Sequence, residues 1–446
     1  MQTFPGPRLP VWFQTLCYGF RPVAFLHWCQ RRYGDVFRVR IPGDGTMVVL
    51  ADPVAIKAVM ALGAEDFSAS AGASMLEPFL GPRTLLLLDG ERHKAERKAL
   101  VDGLHGGAMS EYAATMVDVT QQSLSTWPVG KPFSLHPYLQ AITLDVIARL
   151  IFGADDEATR NELIGVMRPW LAQDAVALMW EPMRRNFGGH GPWVRFVAKR
   201  RLIEEALDRH IAARRDDPHL HDRRDVLSIL LAHAADLDDL SLRDQLMTML
   251  TAGHDTSATA LAWAFALLLR HPPVLQRLLS EMGSGEDLYL DAVVKEVLRL
   301  TPVVLEVGRT LTHEIDLDGV RIPAGATAVP SILLAHHRAQ TYGDPLCFRP
   351  ERFLEQPADV SSWLPFGGGI RRCIGAAFAT LEIKTVLRTV LSAAELRPVG
   401  PMEKPRRRAV TMIPSRGTRV VMMTNRGRGR ADPGPGRRSA RPRPPR

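Results

Sequence analysis

At 446 residues, with 46% hydrophobic and 23% charged side chains, the chain has the make-up of a globular protein able to bury a sizeable core. Its formal charge of +8 is concentrated: from Asn425 to Arg446 eight arginines stand against one aspartate, so residues 1–424 are close to neutral and a nucleic-acid-binding body is not expected. Four scattered cysteines (Cys17, Cys29, Cys347, Cys373), with no C-x-x-C pair, point away from a disulfide framework or a cysteine-rich zinc site and fit a reducing cytoplasm.

The opening "MQTFPGPRLPVWFQTLCYGFRP" breaks its apolar residues with prolines, glycine and arginine, so it does not read as a secretory signal. "DVFRVRI" and "TMVVL" flank "PGDG" and predict a β-hairpin over Asp35 to Leu50. In "DGERHKAERKAL" the i, i+4 spacing puts His93 and Arg97 on one helical face. Helical periodicity then dominates roughly 250 residues. Within them, Leu246 to Leu269 is long enough to span a bilayer, but His254 and Asp255 near its middle predict a buried core helix, and no transmembrane anchor is expected. There the Thr256 hydroxyl is placed to bond the carbonyl of Ala252, opening a groove in the helix.

From Tyr289 to Leu300 an amphipathic helix carries Leu290, Val293, Val294 and Val297 on its apolar face, with Glu296 and Arg299 three apart. "IDLDGVRI" predicts a second hairpin, with Asp318-Gly319 as its turn. After "FRPERF" comes "FGGGIRRCIGAAFA", Phe366 to Ala379, which leads into a helix showing Ile374, Ala377, Phe378 and Leu381 at helical spacing. The last segment is a Gly/Pro/Arg tail without the apolar residues to form a core. The expected fold class is mainly α with small β-sheets, as one domain over 1–424 followed by a disordered tail over 425–446.

Phe366, Gly369, Arg371, Cys373 and Gly375 spell F-x-x-G-x-R-x-C-x-G. A lone cysteine near glycines is more often a small core residue; five fixed positions in ten residues favour a thiolate ligand to haem iron. Glycines 367–369 allow positive φ, so the loop can bring sulfur up to a flat macrocycle. A helix start lowers a thiol pKa, Phe366 can shield the sulfur, Arg371 can pair with a propionate, and Gly375 permits close packing. This stretch resembles the haem-binding signature of the cytochrome P450 family of haem-thiolate monooxygenases. "AGHDTS" (Ala252 to Ser257), "EVLR" (Glu296 to Arg299) and "FRPERF" (Phe348 to Phe353) resemble further family motifs in the family's order.

The resemblance implies a P450 fold, a helix-rich domain plus a minor β region, with haem b between two core helices and Cys373 as axial ligand of its iron. It implies that Thr256 orders bound oxygen while Asp255 relays protons, and that Arg352 joins Glu296 and Arg299 in a structural ion-pair set. It assigns His93, Arg97, Arg309 and Arg371 to the propionates. Arg92, Lys94, Lys98 and Arg372 would offer a basic surface to an acidic electron donor. The implied reaction inserts one atom of O2 into a hydrophobic small molecule, by hydroxylation or epoxidation. With no flavin or dinucleotide fingerprint in the chain, electrons are expected from a ferredoxin-type donor and its reductase.

A substrate pocket is expected from Phe67 to Leu86, Trp170 to Trp193, Met249 and Ala252, Val303 to Val307 and the stretch near Met412, with Glu306 turned to solvent. Four alternatives stay open: a peroxide-using or isomerising haem-thiolate enzyme, disfavoured by the intact Asp255-Thr256 pair; a non-catalytic haem and ligand binder; a Cys373 hydrolase; and nucleic-acid binding by the tail.

Overall fold

The thirty residues Asp239–Leu268 form one helix, the axis of the molecule. Asp238 caps it, its carboxylate accepting from the Ser241 N–H at 2.9 Å. From Ser257 to Leu268 every residue is buried, so this stretch is wrapped on all sides. The helices His136–Phe152, Pro192–Arg215, Leu288–Leu300 and Ala376–Ala393 pack around it. Gly253 lets His136–Phe152 come close: a Cβ there would meet the Ile147 side chain at 3.1 Å.

This computed structural model describes all residues except 1–3, 42–44, 106–108, 154–156, 172–183, 185–187, 234–236, 285–286, 318 and 426–446. The turn of the first hairpin, Asp318, most of the expected pocket segment Trp170 to Trp193 and the tail beyond Asn425 therefore lie outside the described residues. Among those described, no single helix is long and apolar enough to cross a membrane.

The β structure lies beside the helical body. Strands Val36–Ile41 and Gly45–Leu50 pair antiparallel, and Gly45–Leu50 continues parallel to Thr327–Pro330, with Met47 opposite Thr327 and Leu50 opposite Pro330. Arg309–Leu311 and Phe67–Ser68 complete this five-stranded sheet. The second expected hairpin is present, Ile315–Leu317 against Val320–Ile322, with Gly319 at φ +86°. A three-stranded sheet (Pro132–Ser134, Arg419–Asn425, Ala394–Pro398) and a hairpin (Pro405–Arg408 with Thr411–Pro414) close the far side. Trp263 Nε1 donates to the Met412 carbonyl at 2.7 Å and pins that hairpin to the long helix.

Leu288–Leu300 carries a buried ion-pair set that ties it to the later chain. Glu296 Oε2 accepts from Arg299 Nε at 2.7 Å. Its Oε1 accepts from an Arg299 guanidinium nitrogen (2.9 Å), Arg352 Nε (3.1 Å) and the Arg349 backbone N–H (2.9 Å). Arg299 also donates to the carbonyls of His336 and Pro345, each at 2.7 Å. Glu296→Ala would leave two buried guanidinium groups short of their anion, at a cost of about 3–5 kcal/mol. The expected result is a large drop in the urea midpoint, with Glu296→Gln retaining part of it; a midpoint within error of wild type would dismiss the account.

Candidate active site

The loop before Ala376–Ala393 is shaped by glycines where nothing larger fits. Gly367 and Gly369 sit at φ +65° and +63°, and a Cβ on Gly369 would meet the Met60 carbonyl oxygen at 2.0 Å. The turn closes on itself, the Cys373 N–H donating to the Phe366 carbonyl at 2.9 Å. It is also braced from behind: Trp363 Nε1 donates to the Lys295 carbonyl (3.1 Å), and the Leu364 N–H to His336 Nε2 (2.9 Å). The ion-pair helix and the cysteine loop are thus one framework.

The helix begins at Ala376, capped by Gly375, so Cys373 lies ahead of it instead of in its first turn. The expected depressed thiol pKa does not follow. Burial pushes the Cys373 thiol up, and the lowering effects of the Gly375 backbone N–H, Arg97 and Arg372 do not offset it. The residue nevertheless has exposed surface, because it borders a groove of about 460 Å³ lined also by Arg97, Lys295, Trp363, Phe366 and Arg372. A cation held at the sulfur would favour its ionised form further.

Three arginines and a neutral histidine converge nearby. His93 is buried on Gly90–His105, and burial, then Arg371 and Arg97, lower its pKa to about 4. Burial and Arg371 lower Arg309 to about 10. Arg371 and Arg97 are also lowered, by burial first, and each repels the other or a neighbouring arginine. Arg309 reaches the Gly368 carbonyl at 3.5 Å and lies over the Phe67 ring at 4.9 Å. Arg371 donates to Asp89 at 2.7 Å and to the carbonyls of Leu85 (3.1 Å) and Leu88, yet its Nε is buried without a partner. Arg97 has no hydrogen-bond or ion-pair partner among the described residues, though the Cys373 sulfur is its leading favourable charge neighbour.

Asp89 is the one carboxylate in this cluster, and sequence reading missed it. Its position just before a helix is a signal that could have found it. Burial works against its charge, but hydrogen bonds from Ser68 (2.7 Å), Ser70 (2.8 Å) and the Ala69 N–H (2.8 Å) keep its pKa low. With His93 neutral, Asp89, the one carboxylate here among the described residues, stands against three guanidinium groups. The site is short of negative charge by about the amount that two propionates bring, beside the Cys373 thiol. The residues present therefore fit haem.

On the long helix, Ala252 is exposed and Thr256 half-buried, just before the fully buried stretch that starts at Ser257. Thr256 Oγ1 donates to the Ala252 carbonyl at 2.7 Å. Asp255 points elsewhere. It accepts from Gln140 Nε2 (2.8 Å) and Thr411 Oγ1 (3.2 Å), with an Arg408 guanidinium nitrogen 3.5 Å away. Burial alone would raise its pKa; Arg408, His254, His136 and Gln140 together hold it low, so the carboxylate is ionised. None of Gln140, Arg408 and Thr411 is visible as a partner from sequence, since all three come from distant segments.

Two positions depart from expectation. Glu306 does not face solvent: both carboxylate oxygens are buried without a well-formed hydrogen bond, and burial drives its pKa up to about 7 against the pull of Tyr18 and Arg407. Met412 packs into a β-side core with Leu305, not into a cavity. Of the expected basic surface, Lys98 and Arg372 are exposed, while Arg92 and Lys94 pair with Glu96 (2.9 Å) and Glu91 (3.6 Å) on their own helix.

The cytochrome P450 family profile matches residues 4–421. Cytochrome P450 135B1 of Mycobacterium tuberculosis is 40% identical over 443 residues, covering 95% of this chain and 92% of that one. The chain belongs to the cytochrome P450 family. Cytochrome P450 135A1 of the same species is 34% identical over 439 residues, covering 96% of this chain and 98% of its own length. The solved retinoic acid-bound structure of cyanobacterial CYP120A1 superposes with a TM-score of 0.82 at 27% identity, over 95% of this chain and 99% of that one. This P450 is accordingly a haem-binding monooxygenase that uses O2, a redox partner and a small-molecule substrate.

Glu382 on Ala376–Ala393 is a second charged residue inside the body of the P450. It is fully buried and neither oxygen makes a well-formed hydrogen bond. Burial raises its pKa to about 8, with only the Ser257 hydroxyl pulling it down. A raised carboxyl pKa means that the folded state keeps a proton the unfolded state releases, so stability falls as pH rises from about 4.5 to about 8. Glu382→Gln should raise the unfolding midpoint at about pH 8 and leave it nearly unchanged at about pH 5. Equal shifts at both values would mean that the residue is not protonated in the fold.

Proposed function

We propose that Cys373 is the axial ligand of haem b, that His93, Arg97, Arg309 and Arg371 receive its propionates, and that the enzyme oxygenates a hydrophobic small molecule by hydroxylation or epoxidation. The observation that carries this reading is the excess of arginine charge, Arg97, Arg309 and Arg371 against Asp89, beside the Cys373 thiol. Phe366, Gly369 and Gly375 shape the loop around the sulfur. Haem, when bound, would supply the activation of dioxygen, with the Cys373 sulfur as the group that would hold its iron.

The chain's own residues bind, orient and manage protons. Thr256 Oγ1 holds its proton against the Ala252 carbonyl and would be free to turn it outward from the helix as a donor. Asp255, ionised and tethered to Gln140, Thr411 and Arg408, accepts a proton from the Thr411 side and delivers it by rotating toward Thr256. Glu296, Arg299 and Arg352 keep the cysteine loop in place and take no part in chemistry. We assign residues 1–424 to one catalytic domain in the cytoplasm and 425–446 to an appended tail. The intact Asp255-Thr256 pair favours oxygenation over a peroxide-using or isomerising enzyme.

The test of the thiolate is the reduced carbon-monoxide difference spectrum of wild type against Cys373→His. Wild type should show the thiolate-ligated band and the variant should lose it while folding normally; a band indifferent to the substitution would reject Cys373 as ligand. The exposed Lys98 and Arg372 beside the groove fit an acidic, ferredoxin-type donor. Raising ionic strength should then slow the first reduction of the iron, since screening shortens the reach of these charges. Stopped-flow reduction rates independent of salt would remove that partner class.

A further inference from the structure

The helix Val11–Phe20, "VWFQTLCYGF", is built inside out. It contains no charged residue, and its one fully buried side chain is the polar Gln14. Gln14 donates to the Leu9 carbonyl at 2.8 Å and accepts from the Arg40 N–H at 3.1 Å, fastening the helix to strand Val36–Ile41. Cys17 and Tyr18 pack against the β-side core, while four large apolar side chains face outward: Trp12 is 62% exposed, Phe13 40%, Leu16 46% and Phe20 79%. Spacings of four between 12, 16 and 20, and of three and seven from 13, place all four on one face. Trp28, on the following helix Pro22–Tyr33, is also exposed. Together these side chains show roughly 300–500 Å² of apolar surface, more than scattered exposed residues account for.

Charge around this face says what covers it. Residues 1–34 contain four arginines and no aspartate or glutamate. Arg8 and Arg21 stand at the two ends of the helix, Arg31 and Arg32 in the last turn of the next one, and Arg40 beside Gln14; all five are exposed. None of them pairs with a carboxylate among the described residues. The 426–446 segment, made of Arg, Gly and Pro with little else, has no side chains to cover tryptophan and phenylalanine. A second copy docking by the same face would bring the same arginines together. An aromatic face ringed by unpaired arginines matches an anionic membrane surface, and at about 15 Å the helix is too short to cross one.

We propose that Val11–Phe20 with its surrounding arginines is a reversible docking surface for an anionic lipid bilayer, the helix lying in the plane of the interface. The full chain would be sedimented with vesicles of phosphatidylcholine alone or mixed with phosphatidylglycerol. It should bind the mixed vesicles far better, and added salt should weaken this binding. Trp12→Ser with Phe20→Ser should lower affinity by about tenfold or more, with the circular dichroism spectrum and unfolding midpoint unchanged because both side chains are exposed. Arg21→Gln with Arg32→Gln should reduce the preference for the anionic vesicles. Wild type left in the supernatant overturns the proposal. So does full binding by the Trp12/Phe20 variant, which would assign attachment to charge alone, the tail included. A dimer in sedimentation velocity that the Trp12/Phe20 substitutions break would give the face to a second copy instead.

Discussion

Glu296 has no solvent-exposed surface, and its two oxygens accept from two arginines and one backbone N–H. Through them it joins a helix to the segments on either side of Tyr342, and Trp363 and Leu364 carry the constraint onward to the cysteine loop. A buried carboxylate with this many donors is stable only if all of them arrive together. The position of Cys373 is therefore set by charge neutralisation some distance away, and the glycines that let the loop bend are held in one conformation by it.

The site itself follows the opposite rule. Around Cys373 the fold gathers Arg97, Arg309 and Arg371 and the neutral His93 with, among the described residues, one carboxylate, Asp89, and burial lowers the pKa of the histidine and of each arginine. Such an arrangement costs free energy in the protein alone. It becomes favourable when an anionic, metal-bearing group enters, so cofactor binding and completion of the fold are coupled. The ion-pair framework is neutralised by its own residues, while the groups around Cys373 carry an excess of arginine charge.

The same contrast runs along the long helix. From Ser257 onward it is sealed in apolar packing; at Ala252 and Thr256 it opens. Asp255, between the two regimes, is held ionised by partners from three other segments. At the amino-terminal edge the usual order is reversed, with Gln14 inside and aromatic rings outside. Both places break the expected pattern of apolar in and charged out, and both face something other than bulk water.

Much of this was legible in the chain. The glycine–arginine–cysteine spacing, the Glu296-Arg299 pair, the Thr256-to-Ala252 hydrogen bond and both hairpins can be read from residues close in sequence, because short-range geometry sets them. Glu382 was visible as a charge four residues after Phe378 on a buried face, and was passed over. Asp89, Gln140, Arg408 and Thr411 were not legible as partners, since they meet Arg371 or Asp255 only across long separations. Nor was the state of the Cys373 thiol: sequence suggests a helix start that lowers its pKa, while the folded chain begins the helix at Ala376 and surrounding protein pushes the thiol pKa up although the residue keeps exposed surface. Local spacing, read together with the resemblance to the P450 family, named the side chains expected to carry haem chemistry. Tertiary packing decided their protonation and their partners, because desolvation and charge coupling depend on everything nearby in space.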